Sequence, residues 1–285
     1  YYDLTDERSA HINKLKGDLH TVFPQYLDVF CDVTGKTSTM ILRQYGTPDK
    51  ILRGHKKTMI EKISKASRKG AKASERYEKL CAAANAAKTF GCQIDSIYFN
   101  IFLTLDLVEK LDSALDSILN RIRQLITFNK NEKFIQQIKL LNTIPGVGFL
   151  TAVTIMCEIG DFSAFRNPKQ LFAYFGLDPE VNESGKFVGT QLHMSKRGSR
   201  IARRAIFAVA LASIRTKRNG EGINPYLRKY YELKSGQKPK MVAIGAVMHK
   251  VCNIVFAVLR DEKAFELRSP EEHCKQYQRP ALAAA

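Results

Sequence analysis

Residues 94–126 read "IDSIYFNIFLTLDLVEKLDSALDSILNRIRQLI". Ile97, Ile101, Val108, Leu111, Leu115, Ile118, Ile122 and Leu125 recur at spacings of three and four, with Thr104 filling the one gap. That period belongs to an α-helix whose apolar a/d seam runs for about four heptads. A seam this long meets a second helix, in an antiparallel hairpin or in another subunit, and its length favours the subunit contact. The expectation is therefore a mainly α protein, with long coiled-coil helices followed by a compact helical domain.

On the N-terminal side, Thr5 is placed to cap a helix ending near Phe23, with Ile12, Leu15, Leu19 and Val22 on one face. Gly46 ends one short helix, and Thr47-Pro48 opens another as cap and first helical residue. On the C-terminal side, "LLNTIPGVGFLTAVTIMCEIGDFSAF" (140–165) is apolar and glycine-punctuated. Asn167-Pro168 and Asn224-Pro225 repeat the cap-then-proline signal, and Gly176 closes the first of those helices. Further helices are expected over about 199–216 and 240–260, and "KFVGTQL" reads as an arm of a short hairpin. The expected division is 1–93 (helical, with a basic patch), 94–139 (coiled coil), 140–268 (a second helical domain) and 269–285 (a tail).

Net charge is +17 over 285 residues, which implies a polyanionic partner. Two runs carry the excess. Residues 53–76 hold nine basic and two acidic residues, among them Lys56, Lys57, Arg68 and Lys69. From Lys186 to Arg218 there are nine Lys or Arg and no acid. Lys196, Arg197, Arg200, Arg203 and Arg204 crowd one helix start, the last three on one face. Like charges so placed repel one another, and a bound polyanion removes that cost. The alternative for either run is an ordinary solvated helix face. No uninterrupted run of eighteen apolar residues occurs, so no membrane partner is expected. The six cysteines are scattered, without the spacing of a zinc site or a disulfide framework, which suits a cytoplasmic protein.

Two motifs offer chemistry. Ile144-Pro145-Gly146-Val147-Gly148 resembles the turn of a helix-hairpin-helix element. Gly146 and Gly148 would admit a phosphate to the backbone N–H groups of the next helix; the alternative is a tight turn between two core helices. Ser184, in "NESGK", is a turn serine on local sequence alone, because a hydroxyl is a poor nucleophile until a base or cation activates it.

Taken together, "LLNTIPGVGFLTAVTIMCEIGDFSAFRNPKQLFAYFGLDPEVNESG", "MSKRGSRIARRA" and "IGAVMHKVCNIVFAVLR" resemble the C-terminal transposase domain of the bridge-RNA-guided insertion-sequence recombinases, a family that includes the pilin-gene inversion recombinase. The opening "YYDLTDERSAHINKLKGDLHTVFPQYL" is similar to the segment that follows that family's nuclease domain. The resemblance implies a serine nucleophile at Ser184 and a DEDD carboxylate domain, holding magnesium, that these residues do not include. It implies DNA and a structured guide RNA as partners. It also implies a dimer or tetramer joined by the coiled coil, cytoplasmic and associated with the nucleoid. These residues alone, without the carboxylates or any cofactor of their own, would then be an inactive piece of a DNA recombinase. The competing reading from the residues themselves is a non-catalytic helical module for nucleic-acid binding and oligomerisation.

Overall fold

A computed structural model of the chain describes residues 1–67, 72–92, 94–180 and 193–277, together with the backbone of 183–184 and 187–188. The side chains of 274–277 are not included. The chain forms two compact units, 1–125 and 126–285. Both are helical, as the periodicity predicts.

The first unit contains α1 (Tyr2–Val22), α2 (Tyr26–Val29), α3 (Lys36–Gln44), α4 (Pro48–Arg53), α5 (Lys56–Ala66), α6 (Ala73–Phe90) and α7 (Asp95–Thr127). Thr47 caps α4 by accepting from the Lys50 N–H at 3.4 Å, with Pro48 in the first turn. α6 is the helix that the sequence pattern did not announce. Its inward face is Leu80, Ala83, Ala84 and Ala87, and the small side chains let it lie close to α2, α4 and α5. The core gathers Leu15, Leu19, Tyr26, Ile41, Ile51, Ile63, Leu80, Ile101 and Leu105. Each fully buried Leu or Ile contributes about 1.5–3 kcal/mol. Tyr26 packs on Phe23 and Phe30, and its hydroxyl donates to the Ser38 carbonyl at 3.0 Å, so the buried oxygen is satisfied.

The α7 seam finds its partner inside this unit. α1 runs antiparallel to it. Arg8 pairs with Asp112, Lys14 with Asn100 and Asn100 with Asp18, while the Tyr98 hydroxyl donates to the Val22 carbonyl. Ile101, Thr104, Val108 and Leu115 are buried. Arg43 on α3 adds ion pairs to Asp106 and Glu109 at 2.7 and 2.8 Å. The first half of the seam is thus buried within this unit. Ile118 and Ile122 are only half-buried, and Leu125 is 55% exposed.

The helical path breaks after Thr127, so the expected 94–139 coil is two helices. Asn129 Oδ1 accepts from the Asn131 N–H, and Asn131 caps α8 (Glu132–Leu141) at the Phe134 N–H. α8 packs on α9 (Phe149–Ile159) in the second unit. There follow a 3₁₀ turn (Phe162–Ala164), α10 (Pro168–Tyr174), strands β1 (Glu183–Ser184) and β2 (Phe187–Val188), α11 (Arg200–Ile214), α12 (Pro225–Ser235), α13 (Lys240–Asp261) and α14 (Pro270–Tyr277). α13 packs against α8, α10, α11 and α12. By length and composition alone α13 could cross a bilayer. Its apolar character has a local cause, since residues from Ala243 to Leu259 form the middle of the unit's core.

Candidate functional site

The second unit brings most of its candidate residues to three places. The first is the α8–α9 turn. Gly146 has φ +97°, a conformation that favours glycine. A Cβ there would meet Ser213 Oγ at 2.8 Å and the Val209 carbonyl oxygen at 3.2 Å. Ser213 in turn donates to the Pro145 carbonyl at 3.0 Å. Gly146 therefore seats the turn against α11. Gly148 differs: nothing lies within 4 Å of its would-be Cβ, and it begins α9 with no side-chain cap. The first N–H groups of α9 consequently have no capping side chain, and the helix dipole favours an anion there.

The second place is the root of a hairpin arm. The Glu180 N–H donates to the His193 carbonyl at 2.7 Å, and the Ser195 N–H to the Asp178 carbonyl at 2.8 Å. Ser195 Oγ also donates to Asp178 Oδ1 at 2.6 Å. Farther along the chain β1 pairs with β2 in antiparallel register, Glu183 opposite Val188 and Ser184 opposite Phe187. Two residues, Gly185 and Lys186, separate Ser184 from Phe187 in the sequence and lie outside the described residues. Ser184 thus has backbone pairing, while its side chain, like Lys186 as a whole, lies outside the described residues.

At this root two backbone segments cross in near contact. A Cβ on Gly198 would overlap the Tyr174 carbonyl oxygen and meet Gly176 N and Phe175 C at 2.6 Å. Gly176 has φ +64° and accepts from the Lys196 N–H at 3.0 Å. Lys196 itself has φ +53° and, with Glu262, is one of two non-glycine residues in the left-handed region among those described. Sequence reasoning found Gly176 as a helix stop but missed Gly198 and the Asp178–Ser195 bond. Both depend on which backbone lies opposite, and local sequence does not carry that.

The third place is the start of α11. Ser199 Oγ accepts from the Ile201 and Ala202 N–H groups at 3.1 Å each, so this helix end is already capped. Arg203 does not project with its neighbours. Its Nη1 donates to the Phe175 and Gly198 carbonyls at 3.1 and 2.8 Å, bracing the crossing. Lys196, Arg197 and Arg200 are exposed, and Arg204 is half-buried. No acid occupies the first turn of α11. The cations there oppose the helix dipole, an arrangement that a bound anion stabilises.

In the first unit, Lys56 and Lys57 are exposed in the first turn of α5, again with no acid beside them. Lys56 lies 5.8 Å from the centre of the Tyr77 ring. Arg68 and Lys69 lie outside the described residues. Among the described residues no group of three or more His, Cys, Asp or Glu could hold a metal ion. The described residues therefore do not fit the magnesium that the resemblance implies, and no step below runs through it.

Residues 138–232 match the model of the transposase IS116/IS110/IS902 family. The chain is 30% identical over 177 residues to the pilin gene-inverting protein of Moraxella bovis, covering 62% of this chain and 52% of that one. It is 24% identical over 272 residues to a 43.6 kDa protein of insertion element IS110 from Streptomyces coelicolor, covering 94% and 63%. It is 26% identical over 167 residues to the transposase for insertion sequence element IS1111A of Coxiella burnetii, covering 57% and 45%. The chain spans roughly half to two thirds of the length of these relatives.

Proposed function

We propose that this chain, whose residues 138–232 match the model of the transposase IS116/IS110/IS902 family, forms the body of a serine-dependent DNA recombinase. The observation that carries the reading is the paired Ser184–Phe187 hairpin, rooted beside the acid-free start of α11. A serine on a paired arm is held more firmly than one in an open loop. Its fixed base adjoins Lys196, Arg197 and Arg200, which suit a DNA backbone.

The chemistry follows from phosphoryl transfer. Ser184 Oγ attacks phosphorus and the Oγ–P bond forms. One bridging P–O bond breaks, and the departing oxygen takes a proton. The product is a phosphoserine link that a second strand can later displace. Such transfer is mainly positioning and charge stabilisation. A hydroxyl needs activation, and in this reading the activating carboxylates come from another domain. DNA and a guide RNA are the proposed partners. Phosphate contacts would come from the open α9 N-terminus at Gly148, from Lys196, Arg197 and Arg200, and from Lys56 and Lys57. These contacts position a backbone without reading sequence. In a recombinase containing the carboxylate domain, Ser184→Ala should abolish strand exchange and leave DNA binding nearly unchanged. Normal exchange in that variant would refute the serine role. Arg200→Ala should flatten the salt dependence of DNA binding by about one counterion. An unchanged slope would remove that contact from the interface.

A further inference from the structure

A groove of about 630 Å³ lies between α12 and the C-terminal half of α13, closed on its third side by the segment after α13. Its volume is within the range of small-molecule sites, about 300–1,000 Å³. Tyr226 and Tyr230, four apart on α12, share one wall, and Lys250 and Asn253, three apart on α13, share the other. The Lys250 and Lys234 ammonium groups lie over the Tyr230 ring, 5.4 and 5.7 Å from its centre, as cation–π contacts.

Most polar groups lining this groove are engaged, Asn224 as the cap of α12 and Ser269 with Glu272, but Asn253, Tyr226 and Tyr230 differ. Asn253 interrupts the apolar run "VCNIVFAV" of α13 and is half-buried. Asparagine is a poor interior helix residue, and a part-buried amide without a partner is costly. Among the described residues neither that amide nor the hydroxyls of Tyr226 and Tyr230 have a hydrogen-bond partner. The two carboxylates that line the groove are already paired. Asp261 accepts from Arg260 at 2.7 and 3.0 Å, and Glu266 pairs with Arg268. The free charge beside the tyrosines is therefore positive.

A flat aromatic face, an amide with both donor and acceptor, and ammonium groups on two neighbouring helices match one ligand chemistry. A nucleobase supplies the flat face and a hydrogen-bonding edge, and its strand supplies the flanking phosphates. Peptides share the apolar and polar parts but do not require the two cations around one ring. We propose that this groove takes a single unpaired base of a DNA or RNA strand, which displaces the ammonium groups from the Tyr230 ring and stacks on it, with Asn253 at its edge and Lys234 and Lys250 moved to the phosphates. The inference rests on the nucleic-acid reading above and adds a site separate from the α11 start.

The test uses the 285-residue chain and a short single-stranded oligonucleotide with one 2-aminopurine. DNA and RNA forms of one sequence decide which strand is preferred, and a duplex of that sequence serves as reference. Stacking on Tyr230 should quench the probe on binding. Tyr230→Ala should abolish the quench and weaken single-strand binding about 5- to 150-fold, the range of base–aromatic stacking, with duplex binding unchanged. Tyr230→Phe, which keeps the ring and guards against a folding artefact, should retain both. Lys250→Gln should lower the salt slope for the single strand. A bound probe that stays bright in the unaltered protein, or single-strand affinity equal in Tyr230→Ala and the unaltered chain, overturns the proposal while duplex binding persists. Failure to bind either duplex or single strand would remove the nucleic-acid reading itself.

Discussion

Replacing Gly198 by alanine probes the root of the Ser184 arm with one methyl group. The new Cβ would overlap the Tyr174 carbonyl oxygen and come to 2.6 Å from Gly176 N and Phe175 C. All three are backbone atoms, so no side chain can swing aside. Carbon contacts are comfortable near about 3.5–4.0 Å, and the two segments must part by about 1 Å or more. Parting them stretches the bonds that cross here: Lys196 N–H to Gly176 O at 3.0 Å, and Arg203 Nη1 to Phe175 O at 3.1 Å and Gly198 O at 2.8 Å. A neutral hydrogen bond is worth about 1 kcal/mol and one to a charged group about 1.5–3 kcal/mol. The expected loss is therefore about 3 kcal/mol, or about 6–12 °C in the melting of the 126–285 unit. Thermal and urea unfolding, read on that unit's transition, measure it. Gly148→Ala is the internal control, because its Cβ meets nothing within 4 Å and its φ of −92° suits alanine. It should be neutral or stabilising by about 0.4–1 kcal/mol. Equal stability of the two variants would refute the crossing.

Two further outcomes are expected. Leu115→Asp puts a carboxylate into a side-chain site that is 9% exposed in the 1–125 unit, so it should lower that unit's stability by about 2 kcal/mol or more even under dilute, monomeric conditions; a variant that only dissociates an oligomer would return the seam to a subunit contact. His249 packs edge-on against Phe172, and burial, assisted by Lys250, holds its pKa below the ordinary 6.5. The unfolded chain then binds the proton more readily, so stability should be unaffected above about pH 6.5 and fall as pH drops below it. His249→Phe should flatten that acid slope in a melting series across pH, and an identical slope would show that His249 does not titrate in this way.

Three helix caps were legible because their information is local, whereas Thr5, expected to cap α1, lies inside it and donates to the Tyr1 carbonyl. Thr47-Pro48, Asn167-Pro168 and Asn224-Pro225 each place an oxygen within reach of an N–H three residues on, and each does accept that bond. α6 escaped notice because alanines form its inward face and give little contrast in a hydropathy pattern. The break at Asn129–Asn131 was written in two asparagines, yet the apolar positions on either side continued a helical rhythm across it. The partner of α7 was not readable at all from local sequence: the Arg8–Asp112 pair joins residues 104 apart. The functional region divides in the same manner. Charge and glycine content pointed to residues 144–148 and 196–204, but only the fold separates Gly148, open at a helix start, from Gly146, pressed on Ser213. It likewise separates the exposed Arg200 from Arg203, which braces two carbonyls.

The central proposal is that Ser184 becomes covalently joined to a DNA phosphate, and that link can be sought directly. A recombinase containing these residues and the carboxylate domain would be incubated with guide RNA, magnesium and its DNA substrate, then denatured, digested with nuclease and protease, and analysed by peptide mass spectrometry. The account predicts a nucleotide adduct on the peptide bearing Ser184, absent from Ser184→Ala protein and absent when DNA is withheld. Strand exchange that proceeds with no adduct on that peptide, or with an adduct on a different residue, would contradict it.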